Sequence, residues 1–205
     1  MSPEKKEYLH LGKRIIVFIG PEGSGKTTMA KRLAEETGRP YITTGDIIRD
    51  LAANDEGPLG DECRQMFATR SYLNGATLLR ILVQRFSNDD TVDGFVLDGG
   101  LRTLEETEDF QDMLEQADRC LPLSVIHLRI PAWMSFDRLV TGPLARQRND
   151  DTVEGVTSRL GKFYLNLARR VDVIRSQPNW DLLHVDATGP IEKTYSKVKS
   201  VLGID

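Results

Sequence analysis

Residues Gly20–Thr27 read Gly-Pro-Glu-Gly-Ser-Gly-Lys-Thr, a pattern whose residue types and spacing suit the binding of phosphate groups. Its glycines let the backbone curl so that successive N–H groups point inward at phosphate oxygens. Lys26 can reach the terminal phosphates, and the Thr27 hydroxyl can hold Mg²⁺. Because the apolar run Ile15–Ile19 precedes the loop and a helical pattern follows it, the sequence predicts a nucleoside triphosphate site between a strand and a helix.

A second group that could do chemistry is Asp98, which follows the apolar run Gly94–Leu97. In proteins with a phosphate-binding loop, such an aspartate holds Mg²⁺ through water. The next residue is Gly99 and not a glutamate that could activate water, and the chain contains no Asn-Lys-x-Asp run for guanine. These observations favour transfer of a phosphoryl group to another small molecule over hydrolysis.

Arginines cluster around the Gly142-Pro143 turn, namely Arg138, Arg146, Arg148 and Arg159. Joining two phosphorylated substrates brings negative charges together, and two unit charges about 4 Å apart repel by about 4 kcal/mol at an effective dielectric constant near 20. A guanidinium keeps its charge and presents a planar fork to phosphate oxygens, so arginine is the expected counter-charge. The cluster therefore predicts stabilisation of a phosphoryl group in transfer.

Apolar runs alternate with amphipathic stretches along the chain, and this alternation supplies the elements that would position these groups. The predicted strands are Ile15–Ile19, Tyr41–Thr43, Gly94–Leu97, Ser124–Leu128 and Asp181–Val185. The predicted helices are Lys26–Glu36, Asp46–Ala53, Gly60–Thr69, Ala76–Phe86, Leu104–Ala117, Ala132–Val140, Thr152–Ser176 and Pro190–Leu202. The pattern predicts an α/β fold with a parallel sheet and helices on both faces.

Local signals refine the predicted helices and the core. Asp151 with Glu154 fits a helix cap, and Pro190 suits a first helical position. The larger aromatic side chains on helix and strand faces are expected in the apolar core, namely Trp133, Tyr164 and Trp180. His127 and His184 lie on predicted strands and are interpreted as core or strand-end residues, not as catalysts.

The amino-acid composition limits the classes of protein to which this chain could belong. The chain has 205 residues, with 27 Lys and Arg against 31 Asp and Glu, a formal net charge of −4. This balance argues against a general surface for nucleic acid or anionic membranes. Cys63 and Cys120 lack metal or redox spacing, and no apolar stretch approaches the roughly 18 residues of a membrane span. We expect a cytoplasmic monomer with a flexible lead-in at residues 1–13 and one domain at residues 14–205.

Three ordered segments carry a resemblance to a known family: Gly20–Thr27, Tyr41–Arg49 and Gly94–Thr103. They resemble the phosphate loop, the start of the monophosphate-binding part and the Asp-Gly-Phe-Pro-Arg segment of the adenylate kinase and nucleoside monophosphate kinase family. The resemblance runs from Arg14 to about Leu202. It implies a P-loop NTPase-type parallel sheet flanked by helices, a helical nucleoside monophosphate (NMP) binding insertion at about residues 45–87, and a short lid at about residues 139–151.

The resemblance implies transfer of the γ-phosphoryl group of ATP to an NMP, with AMP favoured. The implied catalytic residues are Lys26, Arg102, Arg148 and Arg159. The implied ATP-binding residues are Gly23, Ser24, Gly25, Lys26, Thr27, Thr28 and Arg138, the last stacking on adenine. The implied NMP-binding residues are Thr44, Arg49, Ser71, Leu73, Gly99, Arg102 and Glu106. Mg²⁺ would be held by Thr27 and, through water, by Asp98, and no zinc is expected because the lid has no cysteine.

The chain departs from the family pattern close to the chemistry. Gly100-Leu101 replaces Phe-Pro, which removes a proline that would stiffen the turn carrying Arg102. Gly142 stands where the lid of the family has an arginine, and Arg146 is the nearby residue that could substitute for it. If the lid lacks charge, an arginine introduced at position 142 is expected to raise the rate.

Glu106 stands where the family has a base-reading glutamine. An ionised glutamate only accepts hydrogen bonds, so it suits a base edge with two donors, such as that of guanine. Alternatively, the Thr103-Leu104-Glu105-Glu106 spacing lets Glu106 reach back to the start of its own helix. The sequence therefore leaves AMP, GMP, CMP and UMP open as the acceptor of the phosphoryl group. Two further functions stay open as well: a kinase with a non-nucleotide acceptor, and a nucleotide-binding module with weak turnover.

Overall fold

The computed structural model describes residues 8–69, 75–146 and 151–204. Within these ranges, the strands β1 to β5 are Ile15–Ile19, Tyr41–Thr43, Val96–Asp98, Leu123–Arg129 and Trp180–Asp186. They form one sheet in the order β2-β3-β1-β4-β5, and every neighbouring pair is parallel. The strand ends differ from the predicted ones by no more than two residues.

Helices connect the strands and flank the sheet. In the described ranges, α1 to α9 are Lys26–Thr37, Thr44–Asn54, Pro58–Thr69, Gly75–Phe86, Leu104–Gln116, Ala132–Phe136, Val153–Tyr164, Leu167–Ser176 and Ile191–Leu202. A single π-helical turn, Asp137–Thr141, extends α6, and a 3₁₀ turn occupies Asp89–Thr91. None of the described helices combines the length and the apolar character needed to cross a membrane. The predicted α/β fold, a parallel sheet flanked by helices, is confirmed.

The core lies on both faces of the sheet because β1 is buried along its whole length. Phe18 belongs to a cluster with Met29 of α1 and Val198 of α9 on one face. Val17 belongs to a second cluster with Phe110 of α5 on the other face. A strand that is covered on both faces is apolar at every position, which explains the unbroken apolar run that precedes the glycine-rich loop.

The sheet brings two segments that carry candidate site residues to the same edge. Strands β1 and β3 are neighbours, and Phe18 pairs in register with Asp98. The loop Gly20–Thr27 therefore leaves the sheet next to the carboxylate of Asp98. In parallel sheets, ligands bind outside the carboxyl ends of the strands, so this edge is where the site is expected.

Four local predictions were wrong. The helix predicted at Thr152–Ser176 is two helices, because Asn166 takes a left-handed conformation with φ of 59° between α7 and α8. The N-cap of α7 is Thr152, whose hydroxyl accepts the N–H of Gly155, and not Asp151. Trp133 is 63% exposed and Tyr164 is 45% exposed, so neither lies in the apolar core.

The described end of the predicted lead-in packs against the domain. The N–H of Leu9 donates to the carbonyl oxygen of Glu36 at 2.8 Å, at the end of α1. Leu11 is buried in the same cluster as Phe18. Residues 8–13 are therefore attached to the first helix and the core, whereas residues 1–7 lie outside the described ranges.

Candidate active site

The phosphate-binding loop joins β1 to α1. Gly23 and Gly25 have φ angles of 79° and 88°, in the left-handed region that favours glycine. Ser24 between them is buried, whereas Thr27 and Thr28 are exposed in the first turn of α1. The helix thus presents its positive amino end, with two exposed threonines in its first turn, as an anion-binding site requires.

Lys26 lies folded over this loop. Its Nζ donates hydrogen bonds to the carbonyl oxygens of Gly20 at 2.8 Å and Pro21 at 3.0 Å. Burial lowers the pKa of Lys26, while the carboxylates of Glu22 and Asp98 act in the opposite direction. The ammonium is held by neutral carbonyl groups, so a phosphate oxygen can replace them as its partner.

Asp98 accepts two hydrogen bonds at one carboxylate oxygen. The Thr27 hydroxyl donates to Oδ2 at 2.6 Å, and the Tyr41 hydroxyl donates to the same atom at 2.9 Å. Burial, together with the Asp98 charge, raises the pKa of Tyr41, so its hydroxyl remains a donor. Tyr41 is not among the predicted site residues, because a strand residue gives no local signal of a partner 57 residues away.

The oxygen atoms of Thr27 and Asp98 fit a magnesium ion. Mg²⁺ prefers hard oxygen ligands and is usually held by one or two protein groups together with water and substrate phosphates. The hydroxyl and the carboxylate lie side by side at the mouth of the phosphate-binding loop. No cluster of three or more His, Cys, Asp or Glu residues that could hold a metal occurs in the described part of the chain.

Arg138 connects the phosphate-binding loop to the loop after β5. Its guanidinium donates to the carbonyl oxygen of Gly23 at 3.0 Å and to that of Ala187 at 2.9 Å. It lies in the π-helical turn after α6 and contacts the loop after β5, a strand on the opposite side of β1 from β3, which carries Asp98. Its planar face can therefore border a base whose phosphates occupy the loop.

The described part of the segment predicted to form a lid is organised around a buried carboxylate. Asp151 accepts a bidentate pair from Arg146, at 2.8 and 2.7 Å, and a further hydrogen bond from Arg159 at 2.8 Å. Arg146 also lies 3.7 Å from the carboxylate of Glu22 in the phosphate-binding loop. Two of the predicted arginines thus meet at one point beside the loop, whereas Arg148 lies outside the described residues.

The predicted NMP side is built mainly from the start of α2. Thr44 is its first residue and is buried, and Asp46 receives a short hydrogen bond from the guanidinium of Arg49. Because this contact lies within one exposed helix turn, Arg49 can exchange Asp46 for a phosphate. Ser71 and Leu73, predicted to border the base, lie outside the described residues.

The segment after β3 carries Arg102 and is held by a glutamate. Gly99 has φ of 82°, and the Arg102 Nε donates to its carbonyl oxygen. The two oxygens of Glu106 accept the N–H groups of Leu101 at 3.0 Å and of Arg102 at 2.8 Å. Glu106 therefore binds the two residues before the cap of α5, which is Thr103.

A buried arginine that the sequence analysis missed contacts the same segment. Arg170 of α8 donates to the carbonyl oxygens of Leu101 and Arg102, 69 and 68 residues earlier in the chain. Its position next to the exposed Arg169 in an arginine pair gave no sign of burial. The one indication of its burial in the sequence is that Arg170 lies on the otherwise apolar side of an amphipathic helix.

The structure brings the central predicted groups together. The positive charges of Arg102 and Arg146 are close enough to Lys26 to lower its pKa further, in addition to the effect of burial. The segment after β3 and the segment that carries Arg146 therefore both place positive charge near the lysine of the phosphate-binding loop. The arrangement can hold two phosphate groups near one another and offset their repulsion.

This fold and this site define a phosphotransferase of the phosphate-loop class, with a parallel sheet, a glycine-rich loop after β1 and a carboxylate at the end of the neighbouring β3. The family model described as adenylate kinase matches residues 18–178. The chain therefore belongs to the adenylate kinase family. It is a nucleoside monophosphate kinase, an enzyme that transfers a phosphoryl group between ATP and a nucleoside monophosphate.

Similar bacterial proteins agree with this assignment. A protein named adenylate kinase from Mycobacterium sp. (strain MCS) is 33% identical over 188 residues, which cover 92% of this chain and 98% of that protein. An adenylate kinase from Xylella fastidiosa (strain M23) is 31% identical over 188 residues, with the same coverage. One from Corynebacterium glutamicum (strain R) is 31% identical over 189 residues, again with the same coverage.

Proposed function

We propose that this nucleoside monophosphate kinase transfers the γ-phosphoryl group of ATP to AMP. The observation that carries the proposal is the position of Glu106, whose two carboxylate oxygens each accept a backbone N–H group of the preceding segment. A carboxylate engaged in this way is not the acceptor pair that would select the two donors of guanine. The names of the similar bacterial proteins support the same acceptor.

The proposed roles follow from the contacts of the site. Lys26 would exchange its two carbonyl partners for the phosphoryl group in transfer. Arg146 and Arg159, oriented by Asp151, would stabilise the charge on that group, because donors that are already in place need no reorganisation. Arg138 would border the adenine of ATP. We assign Arg148 to the same cluster on the basis of the sequence alone.

The acceptor side would use α2 and the segment after β3. Thr44, Arg49, Gly99 and Arg102 would hold the AMP phosphate, with Ser71 and Leu73 near the base. We infer that residues 45–87 form the NMP-binding part and residues 139–151 the lid. Their closure would exclude water from the phosphoryl group and so favour transfer over hydrolysis. A monomer in the cytoplasm is part of the same proposal.

Thr27 and Asp98 are the residues that would hold Mg²⁺. When bound, the ion would offset negative charge on the ATP phosphates. The chain's own contribution is to orient the carboxylate, because the Thr27 and Tyr41 hydroxyls both donate to Oδ2. These two hydrogen bonds fix the orientation of the carboxylate that would hold the ion.

The test is a steady-state acceptor panel with ATP, Mg²⁺ and each of AMP, GMP, CMP and UMP. We expect kcat/KM for AMP to exceed that for each other acceptor by about tenfold or more, as loss of a base-specific hydrogen bond predicts. Lys26→Met should lose orders of magnitude in turnover, whereas Lys193→Met, at an exposed lysine of α9, should not. A preference for GMP would show that Glu106 reads the base and would overturn the proposed acceptor.

A further inference from the structure

We propose that Glu106 and Arg170 form a two-sided clamp on the backbone of Leu101 and Arg102, and that this clamp aims the Arg102 side chain at the acceptor phosphate. The inference rests on the proposed role of Arg102 in binding the NMP phosphate. It assigns positioning roles to both clamp residues, and it makes Glu106 a part of this device instead of a base-reading group.

Glu106 provides the first side of the clamp, from the first turn of α5. Its Oε1 accepts the N–H of Leu101 at 3.0 Å and its Oε2 accepts the N–H of Arg102 at 2.8 Å. Its own N–H is bound by the Thr103 hydroxyl at 3.0 Å, which fixes the start of the helix. The carboxylate therefore holds two consecutive peptide N–H groups with two charge-assisted hydrogen bonds.

Arg170 provides the second side, from α8. Its Nη1 donates to the carbonyl oxygen of Leu101 at 2.7 Å and to that of Arg102 at 2.8 Å. Its Nη2 donates to the carbonyl oxygen of Phe163 at 2.7 Å, at the end of α7, and its guanidinium lies over the Phe163 ring. Arg170 is only 2% exposed, so it cannot leave these partners for water without opening the packing between the helices.

The backbone needs such a clamp because nothing in its own sequence rigidifies it. Leu101 has φ of 55°, a left-handed conformation that costs a residue with a side chain about 1 kcal/mol or more. Gly99 and Gly100 precede it, and there is no proline to preset the turn. With both N–H and both carbonyl groups of Leu101 and Arg102 bound, the turn has one defined conformation.

The clamp is also balanced in charge. Burial lowers the pKa of Arg170, while the negative charge of Glu106 acts in the opposite direction. The Glu106 carboxylate thus offsets part of the cost of burying the Arg170 guanidinium, with the two peptide units between them. Burial raises the pKa of Glu106, while the N–H groups of Leu101 and Arg102 and the charge of Arg102 act in the opposite direction. Replacing either one leaves an unbalanced charge and two unpaired backbone groups beside the phosphate-binding arginine.

The experiment compares Arg170→Lys and Glu106→Gln with the matched exposed controls Arg169→Lys and Glu105→Gln. An ammonium lacks the planar fork, and an amide can accept only one of the two N–H groups. We expect both clamp variants to raise the KM and the calorimetric Kd for AMP by about tenfold, the effect of one lost charge-assisted hydrogen bond. The KM for ATP should change by less than about twofold, and the controls should match the wild type.

A double-mutant cycle with Arg102→Ala separates positioning from a structural role. If the clamp acts through Arg102, Arg170→Lys should not weaken AMP binding further in the Arg102→Ala background. Equal effects in both backgrounds, or an unchanged Kd for AMP in both clamp variants, would overturn the clamp. Thermal unfolding of each variant checks the fold, and Glu106→Gln serves if Arg170→Lys does not fold.

The outcomes for the clamp and for the acceptor are distinct. A wild-type enzyme that prefers another nucleoside monophosphate overturns AMP as the acceptor but leaves the clamp testable with that nucleotide, because Arg102 is assigned to the phosphate and not to the base. A wild-type enzyme that phosphorylates AMP, with clamp variants that bind it normally, overturns the clamp alone.

Discussion

A single carboxylate, that of Asp151, binds two arginines of the segment around the proposed lid. Its side chain has no exposed surface, and it accepts hydrogen bonds from both Arg146 and Arg159. Arg146 in turn reaches to within 3.7 Å of Glu22 in the phosphate-binding loop. The geometry supports the hypothesis that Arg146 supplies the charge that Gly142 lacks, because its guanidinium is fixed beside the loop and acts on Lys26.

Arg146→Ala tests this hypothesis directly. We expect kcat to fall about 10²–10³-fold, the usual effect of removing one preorganised donor to a developing charge. Stability should also fall, because Asp151 would keep only part of its compensation. Steady-state kinetics at saturating ATP and AMP give the first quantity, and Arg169→Ala is the exposed control. A kcat within about threefold of wild type would exclude Arg146 from the chemistry.

Introducing an arginine at position 142 is not the rescue that the sequence suggested. A Cβ at Gly142 would collide with the carbonyl oxygen of Asp137 and would lie 2.9 Å from its Oδ1. The backbone there closes the π-helical turn, since the Gly142 N–H donates to the same carbonyl oxygen at 2.8 Å. The expected gain in rate is therefore blocked by sterics before charge can matter.

The break between α7 and α8 lets Arg170 point toward the segment after β3. A continuous helix was predicted because apolar spacing persists through residues 152–176, and periodicity does not reveal a left-handed residue. Asn166 tolerates that conformation better than most residues do, and it lets α8 start in a new direction. Arg170 then meets the segment after β3, and α8 packs with α5 in one core cluster.

Strands β4 and β5 place two histidines side by side, and they predict a pH dependence of stability. His127 and His184 are paired in register with ring centroids 5.4 Å apart. Burial lowers the pKa of His127 to about 4, helped by the charges of His184, Arg129, Arg170 and Lys26. Between pH 6.5 and about 4, the unfolded chain takes up a proton that the folded protein does not, so stability falls as the pH falls.

The measurement is the free energy of unfolding in urea at pH 7, 6 and 5. Over this pH range His127 should account for at most about 2 kcal/mol of the loss, most of it below pH 6. His127→Leu should show a shallower decline over this range, because the buried group that resists protonation is gone. His10→Leu, at an exposed histidine, is the control. Parallel declines for wild type and His127→Leu would refute this explanation.

The molecule concentrates positive charge in spite of its net charge of −4. Lys26, Arg102 and Arg146 come from three separate segments and meet at the carboxyl edge of the sheet, where their charges act on one another. Two polyanionic substrates can therefore meet end to end at this edge although the chain as a whole is acidic. Charge elsewhere on the surface does not contribute, because salt screens exposed groups beyond about 10 Å.

A bisubstrate mimic that joins two adenosines through a phosphate chain should stabilise the whole protein. At a free concentration of about 100 times its Kd, it should add about 2.7 kcal/mol to the free energy of unfolding. For a chain of this length, that corresponds to a rise in Tm of about 5–10 °C. Lys26→Met should show a much smaller rise in thermal unfolding scans. A wild-type Tm that does not respond to the mimic would contradict a site that holds both nucleotides.

The sequence predicted the fold and the phosphate-binding loop well because both depend on residues that are contiguous in the chain. The loop is shaped by the backbone conformation of its own residues Gly23 and Gly25, and Lys26 begins the helix that follows directly. Likewise, the unbroken apolar character of β1 reflects burial on both faces of the sheet. Trp133 was misplaced because helical spacing does not say which face of a short helix is covered.

What the sequence determined by itself was the family, the parallel sheet and the identity of the charged groups, since these follow from spacing within short segments. Only the tertiary structure decided how those groups are held. Tyr41 lies 57 residues from Asp98, and Arg170 lies 69 residues from Leu101. Such contacts form because strands and helices that are distant in the chain pack together. No local pattern of residues predicts which of them will meet.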